Sequence, residues 1–111
     1  MKYDLTSEDE EIELTLSGGL DLESTDLFEK EIYPVLAERL EHYKKLNINM
    51  HEVAFVDSTG VGVIIQFVNW ARIHEVDVTI INMQEQVYEI FHFMQIDNIL
   101  GIDILKADTL T

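Results

Sequence analysis

The chain changes character at one residue, Asp57. Val53-Ala-Phe-Val56 is apolar and partly β-branched, Ser58-Thr-Gly-Val-Gly62 is small and polar at its start, and an apolar run of helical length follows. The first stretch suits a short buried strand and the second a turn that opens a helix. A strand that feeds a helix this directly is the repeating unit of layered α/β domains. Ser58 or Thr59 stands where a helix needs a cap, because its first backbone N–H groups have no partner within the helix. The same groups favour an added anion such as phosphate. The turn is expected to face a protein partner.

The rest of the chain fits an alternation of strands and helices. Tyr3–Leu5 is expected to form a short edge strand, closed by the polar turn Ser7-Glu8-Asp9-Glu10. Ile12, Leu14 and Leu16 alternate with Glu13 and Thr15, the period of a strand with one buried face. Gly18-Gly19 is expected to end that strand, and Asp21 or Ser24 to cap the helix after it. Leu27, Phe28, Ile32, Val35, Leu36 and Leu40 recur at helical spacing through about Lys45. Pro34 lies inside that helix and predicts a kink near Glu31–Pro34, since proline lacks a backbone donor and clashes with the preceding turn.

Leu46–Met50 and Val53–Val56 read as one strand with an irregularity at His51-Glu52. A helix is predicted from Ser58 or Thr59 to about Ile73, with Val61, Ile64, Ile65, Val68 and Ala71 on its apolar stripe. Gly60 and Gly62 are expected to let its start approach its neighbours closely. Val78–Asn82 is a further strand and Gln84–Met94 a third helix, with Val87, Ile90, Phe91 and Met94 inward. Ile99–Leu105 is expected to contain a last short strand. These elements predict a single α/β domain over residues 1–111, with a core of about residues 10–105 and a short polar tail at 106–111. Its sheet is central and mixed, with an antiparallel edge and helices packed against it.

Charge narrows the partners. Seven Lys and Arg against 22 Asp and Glu give a net charge of −15, which opposes nucleic acid and anionic membrane surfaces and favours a basic protein surface. The chain has no cysteine, so disulfides and thiolate metal sites are excluded. The acidic N-terminal stretch has no secretory or transit character, and no apolar run reaches the roughly 20 residues that span a bilayer. A soluble, cytoplasmic protein is the expectation.

Enzyme signatures are missing. No Gly-x-Gly-x-x-Gly, no phosphate-binding loop ending in Lys-Ser/Thr and no His-Glu-x-x-His occurs. His42, His51, His74 and His92 lie on separate elements without metal-ligand spacing, and Glu8–Glu11 lacks the alternating ligands of a calcium loop. Asp57 and Ser58 are sequence neighbours without the Gly-x-Ser-x-Gly elbow of a nucleophilic serine. No catalytic residue, metal or cofactor is assigned. From local physics alone, Ser58 reads as a helix cap.

Asp57-Ser58-Thr59-Gly60-Val61-Gly62, after the strand end Phe55-Val56, resembles the signature of the STAS domain family, and within it the bacterial anti-sigma factor antagonists. Gly18-Gly19-Leu20-Asp21 resembles that family's Gly-Glu-Leu/Ile-Asp turn. Ile48-Asn49-Met50 falls at the strand before the signature, and Val87–Ile102 resembles the family's third helix and the strand after it. The chain departs from the family pattern at Gly19, where glutamate is usual, and at Gln95, where many relatives have glycine. His74-Glu75-Val76-Asp77 replaces a glycine-rich turn, and little chain follows Leu105 where many antagonists carry a final helix. A partner or a second copy is expected to cover the part of the sheet left bare.

The resemblance implies a partner-switching regulator of transcription. Such an antagonist binds an anti-sigma factor that is also a serine kinase, so releasing a sigma factor. The kinase phosphorylates the first hydroxyl residue of the signature, here Ser58 with Thr59 as the alternate, and a metal-dependent serine phosphatase resets it. Asp21, Asp57, Ser58, Thr59, Gly60 and Gly62 would form the docking surface. The protein would be a substrate and not an enzyme. The alternative from another class is a non-switching STAS scaffold or accessory subunit of a transporter or sensory complex, with Ser58 only a cap.

Overall fold

The computed structural model describes residues 1–107, and its five strands form one sheet in the order β1-β2-β3-β4-β5. β1 (Lys2–Glu8) runs antiparallel to β2 (Glu11–Leu20) through a two-residue turn in which Asp9 adopts a φ of 54°. β2, β3 (Lys45–Val56), β4 (Asp77–Met83) and β5 (Asp103–Lys106) are all parallel. Right-handed crossovers between strands laid down in sequence order put the helices on one face of the sheet. The mixed sheet with an antiparallel edge is thus as its pattern predicts.

Alternation explains which strand residues meet the helices. Ile12, Leu14 and Leu16 of β2 and Leu46, Ile48 and Met50 of β3 are fully buried. Their neighbours turn to the other face and form a polar ladder, in which Asn47 donates to Glu11 Oε1 at 3.1 Å and Asn49 to Glu13 Oε2 at 3.3 Å. Hydrogen-bonded side chains there occupy a face that no helix covers.

The expected irregularity at His51-Glu52 is a change of register. Thr15 pairs with Asn49, Ser17 with Glu52 and Gly19 with Phe55, so β3 gains one residue on β2 at each step. The buried positions of β3 consequently shift from every second residue to every third, at Val53 and Val56, and Ala54 and Phe55 become exposed. Gly18-Gly19 does not end β2, which continues to Leu20; Gly18, at φ 106°, bends the strand without breaking its pairing.

The helical segment after β2 is less regular than one amphipathic helix. α1 (Ser24–Leu27), a π-helical turn (Phe28–Ile32), α2 (Tyr33–Arg39) and a 3-10 turn (Leu40–His42) follow in succession, and Lys45 already belongs to β3. At the place where Pro34 predicts a kink, the chain has this π turn. It widens the helix just before the proline, which then sits in the first turn of α2 where a missing N–H costs least. Neither Asp21 nor Ser24 caps α1 with its side chain.

α3 (Ser58–Ile73) buries Val61, Ile64, Phe67, Val68 and Ala71, while Ile65 is only half-buried. Phe67 packs edge-on against Phe28, with ring centroids 5.2 Å apart, tying α3 to the π turn. α4 (Glu85–Phe93) buries Val87 and Phe91. Contrary to expectation, Ile90 and Met94 lie outside that buried stripe, 39% and 41% exposed. The chain then makes a further helix, α5 (Ile96–Leu100), that was not expected, ahead of β5, three of whose four residues lie within the predicted Ile99–Leu105. Ile96 and Leu100 bury themselves one turn apart, and Gln95 and Gly101, at φ 56° and 66°, delimit the helix with left-handed residues.

The two signature glycines separate in role. A Cβ on Gly60 would lie well inside van der Waals contact of the Leu20 carbonyl oxygen, whereas a Cβ on Gly62 would meet nothing within 4 Å. Gly60→Ala is therefore expected to destabilise the domain by about 2 kcal/mol or more through overpacking. Gly62→Ala should stabilise it by roughly 0.5–1 kcal/mol through helix propensity. Urea unfolding midpoints check both signs.

Candidate functional site

The carboxyl ends of β2 and β3 build the site. Leu20 pairs with Val56 in the last rung, and the Asp57 N–H donates to the Leu20 carbonyl at 3.2 Å. The strand end is thus tied to its neighbour at the point where the chain turns into α3. Asp57 is extended, with φ −110° and ψ −178°, and its carboxylate Oδ1 accepts the Gly60 N–H at 2.8 Å. Asp57, and neither Ser58 nor Thr59, is the cap of α3.

This division of roles changes the reading of Ser58. A serine that capped the helix would have its hydroxyl engaged with the backbone. Here Ser58 is the first helical residue and Thr59 the second, both exposed, and the capping bond is made without them. Their own N–H groups belong to the first turn, which has no intrahelical acceptors, and point with the helix dipole toward any added anion. An oxygen nucleophile and an anion-holding backbone therefore coincide.

Asp21 lies on the loop that leaves the same end of β2. Its carboxylate Oδ1 accepts the Glu23 N–H at 3.0 Å, and its own N–H donates to Ser24 Oγ at 3.1 Å. Ser24, buried, donates its hydroxyl to the Gly19 carbonyl at 3.2 Å. Asp21 and Ser24 are thus turn residues holding the loop beside the α3 start. The fold brings Asp21, Asp57, Ser58, Thr59 and Gly60 together around Leu20. Gly62 lies one turn further along α3 on the Ser58 side and faces open space.

Two residues at this end escaped the sequence reading. Phe55 is 54% exposed and Leu22 69% exposed. Phe55 lies across Gly19, where an added Cβ would come within 3.4 Å of its ring. It reads as core in Val53–Val56, and only the register change in β3 turns it outward. The missing glutamate at position 19 thus leaves a glycine against which an aromatic ring rests.

Other titratable groups lie away from the turn. Burial, with a smaller contribution from Glu29, pushes the Tyr33 hydroxyl above its ordinary value of 10.0, but Tyr33 packs on Phe67 and Trp70, well down α3. His74 packs at a tilt against Trp70, and His92 stacks on Tyr88. Among the described residues no group of three or more His, Cys, Asp or Glu side chains is placed to hold a metal ion. No helix among them is long and apolar enough to cross a membrane.

The chain matches the STAS domain over residues 3–107 and belongs to that family. No curated protein sequence matches it. Its fold is similar to that of a Thermotoga maritima protein assigned as an anti-sigma factor antagonist, with a TM-score of 0.78 at 20% identity over 97% of this chain and 87% of that one. It is similar also to the anti-sigma factor antagonist SpoIIAA in its unphosphorylated form, with a TM-score of 0.61 at 19% identity, over 91% of this chain and 100% of that one. The phosphorylated form of Bacillus SpoIIAA gives a TM-score of 0.66 at 16% identity, over 97% and 93% of the two chains. A similar domain occurs in the murine anion transporter Slc26a9, with a TM-score of 0.77 at 14% identity, over 93% of this chain but 17% of that one.

Since Asp57 alone caps α3, Asp57→Ala is expected to cost about 1 kcal/mol of stability and Ser58→Ala close to nothing. Thermal unfolding of the two variants distinguishes a capping serine from a free one.

Proposed function

We propose that this protein is a cytoplasmic anti-sigma factor antagonist of bacterial type, a phosphorylation-controlled regulator of transcription. Unphosphorylated, it binds an anti-sigma factor that is also a serine kinase. The kinase modifies Ser58, with Thr59 as the alternate acceptor, and a serine phosphatase restores the binding form. The protein is a substrate and a switch and has no catalysis of its own. The observation that carries this reading is the exposed Ser58 hydroxyl at the first position of α3, relieved of capping by Asp57.

The chemistry of the turn favours such a switch. A phosphoryl group would add a charge of about −1.5 to −2 where the free N–H groups of a helix start can hold it. The fold need not change to accommodate it. The same charge would stand beside Asp57 and the Asp21 loop on a chain of net charge −15. A partner docked over Asp21, Asp57, Ser58, Thr59, Gly60 and Gly62 would then have to desolvate a dianion among carboxylates, which costs several kcal/mol without compensating cations. Similarity to SpoIIAA, known in unphosphorylated and phosphorylated forms, supports the same reading.

Incubation with the cognate kinase and ATP should add one phosphate by mass spectrometry. Ser58→Ala should abolish the gain, and Ser58→Glu should weaken binding of the anti-sigma factor by at least about tenfold. A wild-type chain that takes no phosphate, or a phosphate that persists undiminished in Ser58→Ala, overturns the proposal.

A further inference from the structure

The helical layer leaves a second apolar surface, running down from the Ser58 turn toward the opposite end of the domain. Ser58, Gly62, Ile65, Asn69 and Ile73 recur at intervals of four, three, four and four residues, so they form one stripe along α3. This flank faces α5, because the neighbouring Arg72 guanidinium donates to the Leu100 carbonyl. On α4, Tyr88 sits on the β5 side, with Lys106 over its ring at 5.3 Å. Ile90 and Met94 lie on the other flank, toward α3. α5 packs against both helices.

The strip so formed is apolar and open. Phe93 is 88% exposed, Ile73 78% and Ile99 65%, with Ile90 and Met94 partly exposed beside them. Ile65 is half-buried, and Gly62 leaves the upper end without a side chain. Five large apolar side chains on three consecutive helices are more than the scattered exposed residues of an ordinary surface. They also leave apolar area in water that the alternation of the strands does not require.

The charges around the strip select what covers it. α3, α4 and α5 carry one cation between them, Arg72, and it is engaged with Leu100. Glu85 and Glu89 stand exposed on α4, Glu75 follows α3, and Asp97 lies in the first turn of α5. A second copy would bring a further charge of −15 and the same carboxylates to the contact. A partner with an apolar stripe flanked by Lys or Arg meets both demands. The strip follows a helix of 16 residues, roughly 24 Å in length, which suits another helix laid alongside.

We propose that the strip between α3 and α4 is a docking site for a basic amphipathic helix of another protein. Ile90, Met94 and Phe93 supply the apolar contact on one side and Ile65 and Ile73 on the other, with Glu89, one turn before Phe93, and Glu75, just past α3, at the rim for the partner's cations. The partner-switching reading enters only in explaining why Ser58 heads the strip; the docking itself rests on the apolar residues and the charges around them.

The test is titration of the 15N-labelled, unphosphorylated protein with helical peptides of about 16 residues, long enough to match α3. A Leu/Lys amphipathic peptide should shift amides along the α3 flank and in α4 and α5. A Leu/Glu counterpart, and a Leu/Lys peptide with its periodicity scrambled, should not bind. Phe93→Ser and Ile90→Ser, exposed positions whose loss leaves the core intact, should each weaken the Leu/Lys peptide at least about tenfold. Equal binding of the Leu/Glu or scrambled peptide overturns the proposal. So do shifts confined to the open sheet face or the Leu22–Phe55 end, undiminished binding by both variants, or self-association that occupies the strip before peptide is added. No kinase takes part, so failure here leaves the Ser58 reading standing, and failure of Ser58 phosphorylation leaves the strip standing.

Discussion

The close approach of α3 to the end of β2 is the constraint on which the rest of this domain depends. Gly60 lies against the Leu20 carbonyl so closely that no side chain fits between them. The same carbonyl accepts the Asp57 N–H. One peptide oxygen therefore sets both where β3 stops and how near α3 begins. Because Leu20 also opens the loop carrying Asp21, the two loops at this end are held to a common origin. Their mutual placement is a consequence of backbone packing and needs no side-chain bridge between them.

A division of labour follows at the helix start. Asp57 satisfies the Gly60 amide, so the stability of α3 does not draw on the next two hydroxyls. A group that is to be modified reversibly is best one that the fold can do without, since a phosphate placed on a capping oxygen would disturb the helix it caps. The arrangement at Ser58 meets that condition. The N–H groups left over in the first turn can accept the added anion, so both chemical states of such a site are compatible with one backbone.

Much of this was legible in the sequence, and the misses share a cause. Alternation at Ile12, Leu14 and Leu16 marked β2, helical spacing marked α3, and Pro34 marked a disturbed helix, because each follows from local steric rules. Phe55, Ile90 and Met94 were read as inward from their apolar character, yet each is at least 39% exposed. For Phe55 the cause is the two-step register change against β2, which no local pattern in Val53–Val56 records. For Ile90 and Met94 it is the way α4 lies on the sheet, through Val87 and Phe91 alone, which leaves the adjacent stripe on its flank. The serine cap failed for a related reason: Asp57, Ser58 and Thr59 are all good caps, and the chain direction out of β3 chose among them.

Sequence by itself determined the α/β alternation, the strand-to-helix turn at Asp57 and the strongly acidic character of the chain, since these rest on residue type and spacing over a few neighbours. Only the tertiary structure decided that Asp57 carries the cap and Ser58 stays free, that Gly60 has no room for a side chain where Gly62 has, and that α3, α4 and α5 leave large apolar side chains exposed. Each of these depends on what lies across from a residue, the Leu20 carbonyl in one case and the side of α4 that packs on the sheet in another. Contacts of that kind join positions tens of residues apart, and a linear pattern carries no record of them.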